Sequence, residues 1–177
     1  MTDHRTLLAD YVAHGSEESF RELVTRYVDL VYSTALRLVN GDTHRAEDVT
    51  QTVFADLARL AGTISQDVML GGWLHRRAFH VATTITRNDR RRRDRERQAC
   101  EMSALQNDAG DGFEQLAPHL DEAINGLNDR ERAAIVLRYF ERRDLRAVGA
   151  ALGSNEDAAR MNSPRMAMKL WCRTANR

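Results

Sequence analysis

The stretch from Leu145 to Leu170, LRAVGAALGSNEDAARMNSPRMAMKL, leaves this chain few ways to fold. Leu145, Val148 and Leu152 recur at helical spacing and lie along one stripe. Asp144 precedes them and can accept an orphan backbone N–H at the helix start. Gly149 falls on the inner face, where a missing side chain lets a second helix come close, and Gly153 stands where a left-handed residue ends a helix most cheaply. Asn155 can cap the next helix, with Glu156 and Asp157 placed to favour its dipole. The spacing predicts a helix-turn-helix, a unit that lays its second helix in the DNA major groove.

The rest of the chain obeys the same period. Leu7, Leu8, Tyr11 and Val12 start a short amphipathic helix that stops near Gly15. Ser16 caps a longer one, with Phe20, Leu23, Val24, Tyr27, Val31, Ala35 and Leu38 on its inner face, closed by Asn40 and Gly41. Asp42 or Thr43 opens a third, whose apolar face is Ala46, Val49, Val53, Leu57 and Leu60. Residues 61–72 read as a loop ending in Gly71-Gly72, and a long helix is expected from Trp73 with Leu74, Ala78, Val81 and Ile85 inward. From Gln98 to Pro118 periodicity stops among loop formers such as Asn107, Gly110 and Gly112, which reads as a tether. Leu120, Ala123, Ile124 and Leu127 then begin a second helical unit, and Asn128 with Glu131 resembles a capping box ahead of Ala134, Leu137 and Phe140. No strand-like alternation and no internal repeat occur, so the expected class is all-α: two small helical domains joined by a flexible linker, with boundaries at 1–97, 98–118 and 119–177.

Net charge is zero, with 26 basic and 26 acidic side chains, which argues against a protein that simply coats nucleic acid. The charges are segregated, however. Seven arginines crowd between Arg87 and Arg97, and the segment after them is acidic, so a local anionic partner is expected. Cys100 and Cys172 are far apart and outside any CxxC pattern, which points to no disulfide or zinc site and to a reducing cytoplasm. No apolar run approaches the ~20 residues of a membrane span, and the first residues lack the pattern of an export signal. No paired carboxylates beside a histidine, glycine-rich phosphate loop or HExxH spacing is present, so neither enzymatic activity nor a cofactor, metal or small-molecule substrate is expected.

Two surfaces invite a partner. Asp48, Gln51, Thr52 and Ala55 form a polar, short-chained face on the third helix, either a solvated face or a docking surface for another protein's helix. Arg76, His80, Thr84, Arg87 and Arg91 fall along one face of the long helix, an electrostatic track for phosphates.

With both halves laid out, the chain resembles the extracytoplasmic-function (ECF) group of the sigma-70 family, bacterial RNA polymerase sigma factors. SFRELVTRYVDLVYSTALRLVNGDTHRAEDVTQTVFADLARL and GGWLHRRAFHVATTITRNDRRRRDRE are similar to the family's second region, and LNDRERAAIVLRYFERRDLRAVGAALGSNEDAAR to its fourth. The resemblance implies a catalytically inert subunit that binds core RNA polymerase and directs it to promoters through −10 and −35 contacts. It assigns Asp48, Gln51 and Thr52 to the clamp coiled coil of the polymerase. Arg76, Arg77, His80 and Arg87 then lie near the −10 DNA, with a flipped base held by the loop before Trp73. Trp73 is open to two readings, stacking on nucleic acid or packing into the domain. Arg160, Met161 and Arg165 fall where family members touch the −35 element. The implied partners are core polymerase through its clamp and flap, promoter DNA and an anti-sigma protein.

The chain departs from the family at Asn162, Ser163 and Pro164, where proline inside a helix is expected to kink or restart it. Arg142 and Arg143 stand where the family often has glycine and then an apolar residue, and could serve the flap, DNA or solvent. A stand-alone helix-turn-helix regulator is the alternative. A dimer of that kind would want palindromic half-sites, and no dimer helix or ligand pocket is evident in the sequence.

Overall fold

A computed structural model describes the backbone of residues 3–65, 67–99 and 120–153, and the side chains of all of these except 89–99. The expected second helix of the helix-turn-helix, Pro164, and most of the tether lie outside the described residues. Every regular element among the described residues is helical: α1 (His4–His14), α2 (Glu17–Leu38), α3 (Thr43–Leu60), α4 (Leu70–Ala99), α5 (120–125), α6 (Asp129–Ile135) and α7 (Leu145–Ala151). None of them is long and apolar enough to cross a membrane.

The helix starts are set locally. Ser16 Oγ accepts from the Ser19 N–H and Asp42 Oδ1 from the Arg45 N–H, at 3.2 and 3.1 Å. The capping box is complete: Asn128 Oδ1 accepts from the Glu131 N–H at 2.8 Å, and the Asn128 N–H donates to Glu131 Oε2 at 3.3 Å. Asp144 accepts from the Ala147 N–H at 2.7 Å. Each such bond satisfies a donor that the first turn leaves without a helical partner. Gly15, Gly41 and Gly153 take positive φ where α1, α2 and α7 end.

Helices α1 to α4 form one bundle. Leu23, Tyr27 and Val31 of α2 meet Val49, Val53 and Leu57 of α3 and Leu70, Leu74 and Ala78 of α4, all buried in a single core. The inward stripe of α4 runs Leu70, Leu74, Ala78, Ala82, while Val81 and Ile85 are half-buried at its margin. A smaller core gathers Ile124, Leu127, Ala134, Ile135, Leu137 and Val148. Helix α6 is continued by a π turn, Val136–Phe140, closed by the Glu141 N–H on the Val136 carbonyl at 2.9 Å. Val136 belongs to the first core, Leu137 to the second, and Phe140 packs against both. The two halves thus meet along a continuous seam.

One expectation is corrected here. The helix read as starting at Trp73 begins at Leu70, and Gly71 and Gly72 are buried in its first turn rather than ending a loop. Their role is close approach. A Cβ on Gly71 would stand 2.9 Å from Val136 Cγ1, and one on Gly72 would stand 3.5 Å from the Ala133 backbone. The supposed loop also contains a 3₁₀ turn, Ala61–Thr63.

Arg142 ends the π turn at φ +54°, a left-handed conformation that costs an L residue about 1–2 kcal/mol. Glycine relieves that strain but adds entropy to the unfolded chain. Arg142→Gly is therefore expected to raise stability by about 0.5–1 kcal/mol, read as a higher urea midpoint at unchanged slope. A lower midpoint would show that the guanidinium outweighs the backbone strain.

Candidate functional site

Helix α3 turns Asp48, Gln51, Thr52 and Ala55 outward together, and all four are exposed. Their exposure follows from the period, since Val49, Val53 and Leu57 take the opposite face into the core. Thr52 Oγ1 donates to the Asp48 carbonyl at 2.8 Å, which spends the hydroxyl proton on the helix and leaves the two larger side chains facing solvent.

Along α4 the expected basic residues divide. Arg76, His80 and Arg87 are exposed. Arg77 is half-buried and turned toward α3, where its Nε donates to Asp56 Oδ2 at 2.7 Å and a second guanidinium nitrogen reaches the same oxygen. Asp56 is itself buried and also accepts from Arg59 at 2.5 Å, so this carboxylate fixes Arg77 in place. Burial first, then the charges of Arg76, Arg77 and Arg132, hold the His80 pKa below its usual 6.5. The imidazole is neutral at pH 7 and offers hydrogen bonds rather than charge. Trp73 is half-buried against the first core and lines a cleft of about 590 Å³ between the start of α4 and α6–α7, together with Met69, Arg76, Arg130 and Leu152. Arg160, Met161 and Arg165, and the side chain of Arg91, lie outside the described residues.

The sequence reading missed the polar groups that join the halves. Asp121 of α5 is fully buried and accepts two bonds from Arg37 of α2, from Nε at 2.8 Å and from a terminal nitrogen at 3.0 Å. His75 Nε2 of α4, also fully buried, lies 3.0 Å from the same carboxylate. The bond needs a proton on Nε2, and Nδ1 is buried without a partner. Burial pushes the Asp121 pKa up, but the bonds from His75 and Arg37 and the Arg37 charge outweigh it, and the net shift is downward. Phe140 covers the group, with the Arg37 guanidinium 5.4 Å from its ring centroid. At the outer end of the seam Arg76 donates to Asp129 at 3.1 Å. Asp129 is held below the usual carboxylate range, chiefly by its bond from Arg132. A charged residue in the apolar run Leu120, Ala123, Ile124 was the available signal, since such a carboxylate must find a cation.

The sequence matches known proteins over both halves. Residues 23–96 match the model of sigma-70 region 2, the span that contains the exposed face of α3 and the basic face of α4. The ECF RNA polymerase sigma factor SigE of Mycolicibacterium smegmatis is 34% identical over 167 residues, which are 86% of this chain and 61% of that protein. Residues 23–96 of the chain belong to sigma-70 region 2. The RNA polymerase sigma factor CarQ of Myxococcus xanthus is 28% identical over 159 residues, covering 88% of this chain and 89% of that one. Against SigE, the chain spans about three-fifths of the relative's length. The solved structure of CnrH in complex with the cytosolic domain of CnrY aligns over 96% of both chains at 19% identity, with a TM-score of 0.46.

Proposed function

We propose that the chain is a dissociable initiation subunit that binds core RNA polymerase and brings it to a set of promoters, with residues 1–97 serving the polymerase clamp and the −10 element and 119–177 serving the −35 element. The observation that carries this reading is the region 2 match across 23–96, where the structure turns one polar and one basic face to solvent. Asp48, Gln51 and Thr52 dock on the clamp coiled coil. Arg76, His80 and Arg87 lie along the −10 DNA, with Arg77 held by Asp56 at the edge of that face and Trp73 at its start. Arg160, Met161 and Arg165 serve the −35 element, where arginine can pair with phosphate or fork onto a guanine edge. Opening the duplex is a matter of binding energy: contacts to unstacked bases offset the lost pairing, and no bond is made or broken by this chain. The protein works in the cytoplasm alongside the polymerase, and an anti-sigma protein covering these surfaces is its natural antagonist.

Reconstitution with bacterial core polymerase tests the reading. Run-off transcripts from a cognate promoter, absent without the chain, are expected. Their absence from every promoter tried, with no binding to the clamp helices, would remove it. Replacing Asp48, Gln51 and Thr52 together by Ala is expected to weaken core binding at least ~10-fold. Thermal stability should stay within about 0.5 kcal/mol, because all three side chains are exposed. Loss of stability in step with affinity would instead mark the face as structural. In promoter binding by the reconstituted complex, Arg87→Ala should lower the slope of log affinity against log salt by about 1, the signature of one lost phosphate contact.

A further inference from the structure

Apart from Trp73 and Arg76, none of the residues lining the cleft between the start of α4 and α6–α7 serves a promoter contact. We propose that this cleft binds a small planar aromatic anion, a flat ring bearing a carboxylate or phosphate, as a regulatory ligand that competes with promoter DNA. The competition rests on the sigma-factor reading, whereas the site rests on the cleft alone.

The room is sufficient. At about 590 Å³ the cleft falls within the ~300–1,000 Å³ of small-molecule sites. It stays open because Gly72, Ala133, Ala150 and Ala151, all on its lining, carry little or no side chain to fill it. Met69, Trp73 and Leu152 add larger apolar groups, each half-buried, so a ring entering the cleft leaves water for a thioether, an indole and a branched chain.

Charge decides the sign of the ligand. Four arginines, Arg5, Arg76, Arg130 and Arg132, line the cleft with two aspartates, Asp67 and Asp129, a net charge of +2. Asp129 is already engaged, since it accepts from Arg76 at 3.1 Å and from Arg132 at 2.6 Å. Asp67 is exposed, where water and salt screen its repulsion. Arg5 and Arg130 are also exposed, and neither has a carboxylate partner among the described residues. Arg130 gives one terminal nitrogen to the Leu152 carbonyl at 2.8 Å, which holds the guanidinium at the cleft and leaves its other N–H groups unspent. Arg5 meets only the Met69 sulfur, at 4.0 Å. A carboxylate or phosphate presents oxygens that match such a fork.

One wall comes from residues 67–76 and the other from 129–133 and 150–153. A ligand that fills the cleft uses both, whereas a base flipped at the loop before Trp73 uses only the first. Ligand and DNA share Trp73 and Arg76, so each weakens the other's binding by the same factor.

Titration of the full chain tests the site without polymerase. Trp171→Phe leaves Trp73 as the sole tryptophan, and its indole N–H then gives one signal in a proton–nitrogen correlation spectrum. The probes are 2-naphthoate and 2-naphthyl phosphate, with neutral 2-naphthamide and inorganic phosphate as controls. At least one probe is expected to move the signal saturably with Kd below ~1 mM. Both controls should bind at least ~10-fold more weakly, and Arg130→Ala or Arg5→Ala should weaken the probe by a similar factor. The Arg5 variant guards against misfolding, because that side chain is exposed and touches only a sulfur. No saturable shift with either probe, a control that binds as tightly as the probes, or full affinity in both arginine variants would overturn the site. With core polymerase, the probe that binds should lower run-off transcription in step with its occupancy, and unchanged transcription at saturation would overturn the competition. A chain that initiates at no promoter in the absence of probe would overturn the sigma-factor reading instead, and the titration decides the site by itself.

Discussion

Asp121→Ala is expected to cost about 2–3 kcal/mol, read as selective loss of hydrogen-exchange protection in α5 to α7 while the α2 and α3 amides keep theirs. Removing one partner of a buried ion pair typically costs about 3–5 kcal/mol, because the group left behind remains desolvated and unpaired. Here the orphaned groups are the His75 N–H, which is fully buried, and the Arg37 guanidinium, whose side chain is 24% exposed and recovers some water. That access is the reason for the lower figure. The acid response follows from the direction of the Asp121 shift. Its folded pKa lies below the unfolded value, so the carboxylate contributes stability that is fully present above about 3.9 and is lost as pH falls through the folded value. Unfolding by urea at pH 7 and at pH 5 should therefore show the same contribution from this group, with the loss confined to pH below about 3.9. The Ala variant should lack that acid step. A step of equal size in both proteins would assign it to other carboxylates.

Gly71→Ala and Gly72→Ala should move stability in opposite directions although the residues are adjacent. The Gly71 Cβ would meet Val136 Cγ1 at 2.9 Å, Glu141 Oε1 at 3.0 Å and Tyr27 Cε1 at 3.4 Å. Valine is stiff about χ1 and Tyr27 is packed in the core, so only the carboxylate can yield easily. Overpacking of this kind costs about 1–3 kcal/mol, against roughly 0.5–1 kcal/mol gained by placing Ala for Gly in a helix. A net loss of about 1–2 kcal/mol is expected. At Gly72 the nearest atoms are 3.5 Å away, an ordinary contact, and the helix gain should dominate. Parallel urea titrations decide the matter, and losses of equal size at both positions would mean that α6 does not press on the first turn of α4.

Much of the fold was legible because its signals are local. Ser16, Asp42, Asn128 with Glu131, and Asp144 each cap a helix within three residues of themselves, and the inward stripes of α2 and α3 follow from one period. The outward face of Asp48, Gln51 and Thr52 was legible for the same reason. The seam was not, since Asp121 finds Arg37 and His75 at 84 and 46 positions' remove, and no local rule reaches that far. Gly71 and Gly72 misled for a different cause. Glycine serves both turns and close helix approach, and only the presence of α6 distinguishes the two. The start of α4 and its inward stripe shift with them, since Leu70 falls in the stretch that reads as a loop. At Arg142 the family's glycine was a real hint, and the left-handed backbone supplies its reason.

Arg132 ties the helices of the C-terminal half to one another. Buried on α6, it donates to the carbonyls of Asn125 at 2.9 Å and Leu127 at 2.5 Å, and so ties the end of α5 to the helix that follows. Helix α5 is thereby bonded on one side to its own downstream partner and on the other, through the Asp121 carboxylate, to the four-helix bundle. Hydrogen exchange is therefore expected to find α5, α6 and α7 opening together as one cooperative unit.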